Sequence, residues 1–66
     1  MTYRVVKCRH LHDKYIYLYE CLPKKGWALV IYGPDDETIV EAQYFTDWGI
    51  ALREYNRMKD ELEKTE

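Results

Sequence analysis

Cys8, His10 and His12 stand at alternate positions in the stretch Cys8-Arg9-His10-Leu11-His12. On an extended chain alternate side chains point the same way, so one thiolate and two imidazoles would share a face. These are good zinc ligands, and Cys21 is the available fourth. The spacing argues against that use, because the paired ligands of zinc fingers and ribbons sit on tight turns. A hairpin turning at residues 11–14 opposes Cys8 to Tyr17 and Cys21 to Arg4, which leaves the two sulfurs ~13 Å apart at ~3.3 Å per residue. A disulfide needs Cα atoms within ~7 Å and is excluded on the same ground. The expectation is two free thiols, as in a reducing compartment, with no metal and no other cofactor.

Catalytic chemistry finds little to work with. The chain contains no serine. A Cys8–His10 pair with Asp13 nearby has suitable residue types for nucleophilic attack, but neighbours on one flat strand supply neither a pocket nor oxyanion donors. Gly26, Gly33 and Gly49 stand singly, so no loop can cradle a phosphate. Glu20 and Glu41 share a sheet face in the register below, where solvated carboxylates are the ordinary outcome. No catalytic residue is assigned, and the chain reads as a non-enzyme.

A row of aromatics offers a different chemistry. Tyr15, Tyr17 and Tyr19 alternate along one stretch, with Arg4, Lys7, Arg9 and Lys14 nearby in sequence. Bases stack on aromatic side chains of an open sheet while cations hold the phosphates, so these seven residues form a candidate single-stranded nucleic-acid surface. The competing use of alternating tyrosines is packing against another element. An acidic overall balance and the lack of any RNA-recognition signature weigh on that second side.

Five elements must position these residues. Hydrophobic periodicity predicts strands over residues 3–10, 15–22, 27–32 and 38–45 and a helix over 46–64, all in one domain of 66 residues. Turn chemistry separates them at 11–14, at Pro23-Lys24-Lys25-Gly26 and at Gly33-Pro34-Asp35-Asp36-Glu37. Short loops between successive strands make an antiparallel meander, so the fold class is α+β: four strands, then one amphipathic helix packed on one sheet face. At ~100° per residue Trp48, Ala51, Leu52, Tyr55, Met58 and Leu62 form the helix's apolar stripe. Thr46 is the expected N-cap, with Phe45 and Ile50 as a hydrophobic staple. An Asp60–Lys64 pair supports the helix, while Glu61, Glu63 and Glu66 oppose its dipole, so the last turn is expected to fray.

Loop lengths suggest Leu22 opposite Trp27 and Tyr32 opposite Thr38. One face then holds Tyr15, Tyr17, Tyr19, Cys21, Ala28, Val30, Tyr32, Val40, Ala42 and Tyr44. The other holds Ile16, Leu18, Glu20, Leu22, Trp27, Leu29, Ile31, Ile39, Glu41 and Gln43. The small Ala28 and Ala42 make the tyrosine face the expected seat of the helix. Leu18, Trp27, Leu29, Ile31 and Ile39 are then left as an uncovered apolar patch and a candidate protein interface.

Size and charge bound the function. A chain this short buries only about 60% of its unfolded surface, and self-association is one way to complete its core. The formal net charge is −2, with six Lys/Arg against two Asp/Glu in residues 1–33 and four against ten in residues 34–66. No apolar run approaches the ~18 residues of a membrane span, and the first residues lack the apolar core of a signal peptide. A cytoplasmic protein without membrane contact is expected, as a homodimer or bound to a protein partner. Many very small acidic αβ proteins act by binding and blocking larger machinery, phage-encoded or mobile-element inhibitors among them, a parallel of size and architecture only. The leading expectation is a non-catalytic interaction or regulatory module, and single-stranded nucleic-acid binding is the alternative.

Overall fold

The computed structural model describes residues 2–23 and 25–64. The turn expected at Pro23–Gly26 therefore lies outside the described residues at Lys24, as does the acid at Glu66. The elements are β1 (Thr2–Leu11), β2 (Lys14–Leu22), β3 (Trp27–Tyr32), β4 (Ile39–Phe45) and α1 (Trp48–Lys64). The strands form one antiparallel sheet in the order β1-β2-β3-β4, and the helix packs across it. β-Branched and aromatic residues dominate the strands, and each connection is short enough to return the chain directly to its neighbour.

The register departs from expectation in an informative way. Trp27 pairs with Glu20 rather than Leu22, and Ala28 pairs with Tyr44. Both shifts amount to two residues. Because side chains alternate with a period of two, such a slip leaves the expected faces intact through β2, β3 and residues 41–45, but Ile39, expected beside Ile31, pairs with Tyr32 and joins the tyrosine face. In β1 the register breaks between Val5 and Lys7, which makes Val6 an extra residue. Cys8 therefore faces Tyr17 as expected, but Cys21 faces Tyr3 instead of Arg4. A second irregularity beside Ile31/Tyr32 leaves Val40 over in β4.

The seat of the helix is the reverse of the expected one. Leu11, Ile16, Leu18, Trp27, Leu29 and Ile31 form a single core with Ala51, Tyr55 and Met58 of α1, and Phe45 and Leu62 pack against it. Leu18 is 0% exposed and Leu29 1%, so Leu18, Trp27, Leu29 and Ile31 are the floor beneath the helix and not an uncovered patch. Only Ile39 of that proposed interface is exposed, at 59%. The physical reason lies in the hydroxyls. Branched aliphatic side chains can be sealed without losing a hydrogen bond, whereas each sealed tyrosine would bury an O–H that needs a partner. The helix takes the mainly aliphatic face, where among the core residues only Trp27 and the helix's own Tyr55 carry a polar side-chain atom.

Of the predicted apolar stripe of α1, Ala51, Tyr55, Met58 and Leu62 meet the core and Trp48 lies against Trp27 at a ring separation of 5.6 Å, while Leu52 is only half-buried and stands outside the core cluster. The cap of α1 is one residue later. The Asp47 carboxylate accepts from the Ile50 amide at 3.1 Å, and the Asp47 carbonyl accepts from Ala51. Asp47 is thus the N-cap, which moves Ile50 to the third helical position and dissolves the Phe45–Ile50 staple. The late acids are met by cations: Arg57 bridges Glu54 and Glu61, and Arg9 of β1 lies 3.7 Å from Glu63.

Candidate interaction face

The side of the sheet away from the helix is built from the alternate residues of every strand. Tyr15, Tyr17 and Tyr19 of β2 stand between Tyr3, Cys8 and His10 of β1 and Ala28, Val30 and Tyr32 of β3, with Ala42 and Tyr44 on β4. No helix covers them: Tyr15, Tyr17, Tyr19, Ala28 and Tyr32 are half-buried, Val30 is buried, and Tyr3, Cys8, His10, Ala42 and Tyr44 are exposed. The rings pack in two groups. His10 lies flat on Tyr15 at 4.1 Å, and Tyr17 stacks on Tyr19 at 5.6 Å. Tyr17 meets the edge of Tyr32 at 5.4 Å, and Tyr3 meets Tyr19 at 6.2 Å. Packing of this kind adds roughly 0.5–1.5 kcal/mol per pair beyond burial alone, which stiffens a surface that has no cover.

The small residues that had suggested a helix seat serve this network instead. Ala28 and Val30 form the floor of a groove of about 340 Å³ walled by Tyr3, Tyr19 and Tyr32. Gly26 performs the same service at the end of the sheet, because a Cβ there would stand 1.9 Å from the Tyr44 hydroxyl oxygen.

The hydroxyls are partly satisfied within the face. Those of Tyr19 and Tyr32 share a hydrogen bond of 3.2 Å, and Tyr17 donates to the Asp36 carboxylate at 3.3 Å. Partial burial, followed by the Tyr32 hydrogen bond, raises the Tyr19 pKa above that of an ordinary phenol. Burial and the Asp36 charge do the same for Tyr17. Both therefore stay neutral at physiological pH.

Asp36 is held in place by its loop. It has a positive φ of 58°, its amide donates to the Gly33 carbonyl, and the Gly33 amide donates to the Thr38 carbonyl. Beside it the Asp35 carboxylate accepts from the Glu37 amide, the Thr38 amide and the Thr38 hydroxyl, which holds its pKa down at about 2. The Asp35 bonds make this an Asx-type loop.

The cations are elsewhere. Arg9 reaches Glu63 of α1, and Arg4 pairs with Glu20, which shares its face with Trp27 and Leu18. Alternation puts Lys7 with Arg9, and Lys14 with Ile16, on that same helix side. The structure thus separates the seven residues of the nucleic-acid candidate, with Tyr15, Tyr17 and Tyr19 on the open face and Arg4, Lys7, Arg9 and Lys14 on the other. None of the strand residues of the open face is Lys or Arg.

Three residues of this face escaped the sequence reading as site residues. Tyr32 could have been found, since alternation already put it on the tyrosine face. Tyr3 depends on the displacement at Val6, and Asp36 on the fold of its loop; neither left a local signal. Among the described residues no three His, Cys, Asp or Glu side chains converge as a metal site. Cys8 is exposed and Cys21 buried, both as free thiols. Among the same residues no helix is long and apolar enough to cross a membrane. No family model, curated protein or solved structure matches the chain.

Proposed function

We propose that the chain is a small non-catalytic interaction module that regulates a larger protein by laying its open tyrosine face on it. The observation that carries this reading is a preformed aromatic face with no Lys or Arg among its strand residues and no cover from the helix. Tyrosine gives large contact area at low entropic cost and tolerates water until the partner arrives, which is why it is enriched at protein interfaces. Such a module blocks by occupancy, so it needs no nucleophile and no cofactor. It is suited to the cytoplasm, where Cys8 and Cys21 stay as thiols. The single-stranded nucleic-acid reading keeps its stacking platform but has no phosphate-holding Lys or Arg among the strand residues of that face, and ranks second.

Photo-crosslinking in the cells that express the chain tests this. A benzoylphenylalanine in place of exposed Tyr3 should give a discrete protein adduct on illumination, and one in place of Arg53, on the outer helix surface, should not. Equal adducts from both positions, or none from the first, would overturn the reading. A nuclease-sensitive adduct would replace it with the nucleic-acid alternative. An adduct of twice the 8.0 kDa chain mass would replace the larger partner with a second copy.

A further inference from the structure

We infer that the groove between Tyr3, Tyr19 and Tyr32 receives a cationic side chain, arginine by shape, from a basic surface of the partner. The inference rests on the tyrosine face being the contact surface and adds the chemistry of what it contacts. Three electron-rich rings wall the groove and two small aliphatic residues floor it. The face of an aromatic ring is the negative end of its quadrupole, so a desolvated cation over it is attracted. The formal charge bonded into the ring network is negative: Asp36, held against Tyr17, whose ring in turn touches Tyr32.

Charge complementarity thus selects the occupant. A neutral apolar side chain would use the walls and ignore Asp36. An acidic one would meet both the ring faces and the carboxylate unfavourably. A second copy offering this same face would bring no strand cation to it. Arginine fits better than lysine, because a planar guanidinium stacks on a ring while its edge N–H groups donate in plane. The acceptors on the groove wall are the paired hydroxyls of Tyr19 and Tyr32, and the Asp36 carboxylate stands outside the lining, against Tyr17, where it adds negative potential. The loop carboxylates Asp35, Asp36 and Glu37 at that end of the face also favour approach of a positive surface.

The probe is the peptide acetyl-Gly-Gly-Arg-Gly-Gly-amide, titrated into the isotope-labelled full chain and followed by NMR. Its control is the citrulline peptide, which has the same outline and no charge. Saturable shifts are expected at Tyr3, Tyr19 and Tyr32, with the citrulline peptide binding at least tenfold more weakly. Asp36→Asn, an exposed change that the positive φ accepts, should weaken the arginine peptide about threefold or more while leaving the amide spectrum dispersed. Equal binding of the two peptides, shifts confined to the acidic helix, or no saturable shift would overturn the inference. Solution mass is measured alongside, and a dimer whose formation abolishes the peptide shifts would overturn it as well. A crosslinked protein partner together with no preference for arginine would sink this inference alone. Arginine preference without any crosslinked protein would sink the functional reading alone.

Discussion

The two faces of the sheet are made from the same four strands and are equally rich in large side chains, yet they have opposite fates. One presents Ile16, Leu18, Leu29 and Ile31, and the helix seals it. The other presents a network of tyrosines and stays open. What separates them is the polar atom at the tip of each tyrosine. The lesson is that a small protein with one helix to spend covers the face whose burial leaves no donor unpaired, and the amphipathic face becomes the surface offered outward.

The sharpest way to break this contrast is to truncate one residue from each face. Leu29→Ala should cost about 2–5 kcal/mol in urea unfolding, because its side chain is removed from a sealed core. Tyr3→Ala, on the open face at 58% exposure, should cost only about 1 kcal/mol, most of it the edge contact with Tyr19. Similar losses from both would mean that the two faces are buried alike in solution, by a second copy or otherwise. A charge at the first site, as in Leu29→Lys, should unfold the monomer.

The first turn of the helix that makes the difference is capped by one side chain, Asp47. Asp47→Ala should cost about 1 kcal/mol and reduce the helical circular-dichroism signal, whereas Thr46→Ala should cost only a few tenths. The reverse order would return the cap to Thr46 and shift the first turn by one residue.

The smallest effect concerns the loop that presents Asp36 to the open face. Asp35 has a folded pKa of about 2 against an ordinary 3.8, so its contribution is complete above about pH 4 and is lost as pH falls through 2. NMR should find this carboxyl titrating last among the acids, and Asp35→Asn should remove that part of the acid dependence. A normal titration midpoint would mean that the Thr38 hydrogen bonds do not persist in solution.

How far the sequence reaches can be judged from these same residues. The alternation Tyr15, Tyr17, Tyr19 against Ile16, Leu18 is local, and it sorted the side chains of β2 and β3 into the right two sets even though the expected pairing was off by two residues. The stripe from Trp48 to Leu62 was legible for the same reason, since its period belongs to the helix itself. Asp47 and Thr46 are both good caps, and nothing local distinguishes them; the choice follows from where β4 ends and the sheet delivers the chain.

The sequence by itself therefore determined four strands, one helix and the face membership of β2 and β3, because side-chain periodicity is set by backbone geometry within a few residues. Tertiary structure alone decided which face the helix would take. It also displaced β1 at Val6 so that Tyr3 meets Cys21, and brought Asp36 to Tyr17 across 19 positions of chain. These are outcomes of competition between distant groups for burial and for hydrogen-bond partners, and that competition exists only once the strands are assembled.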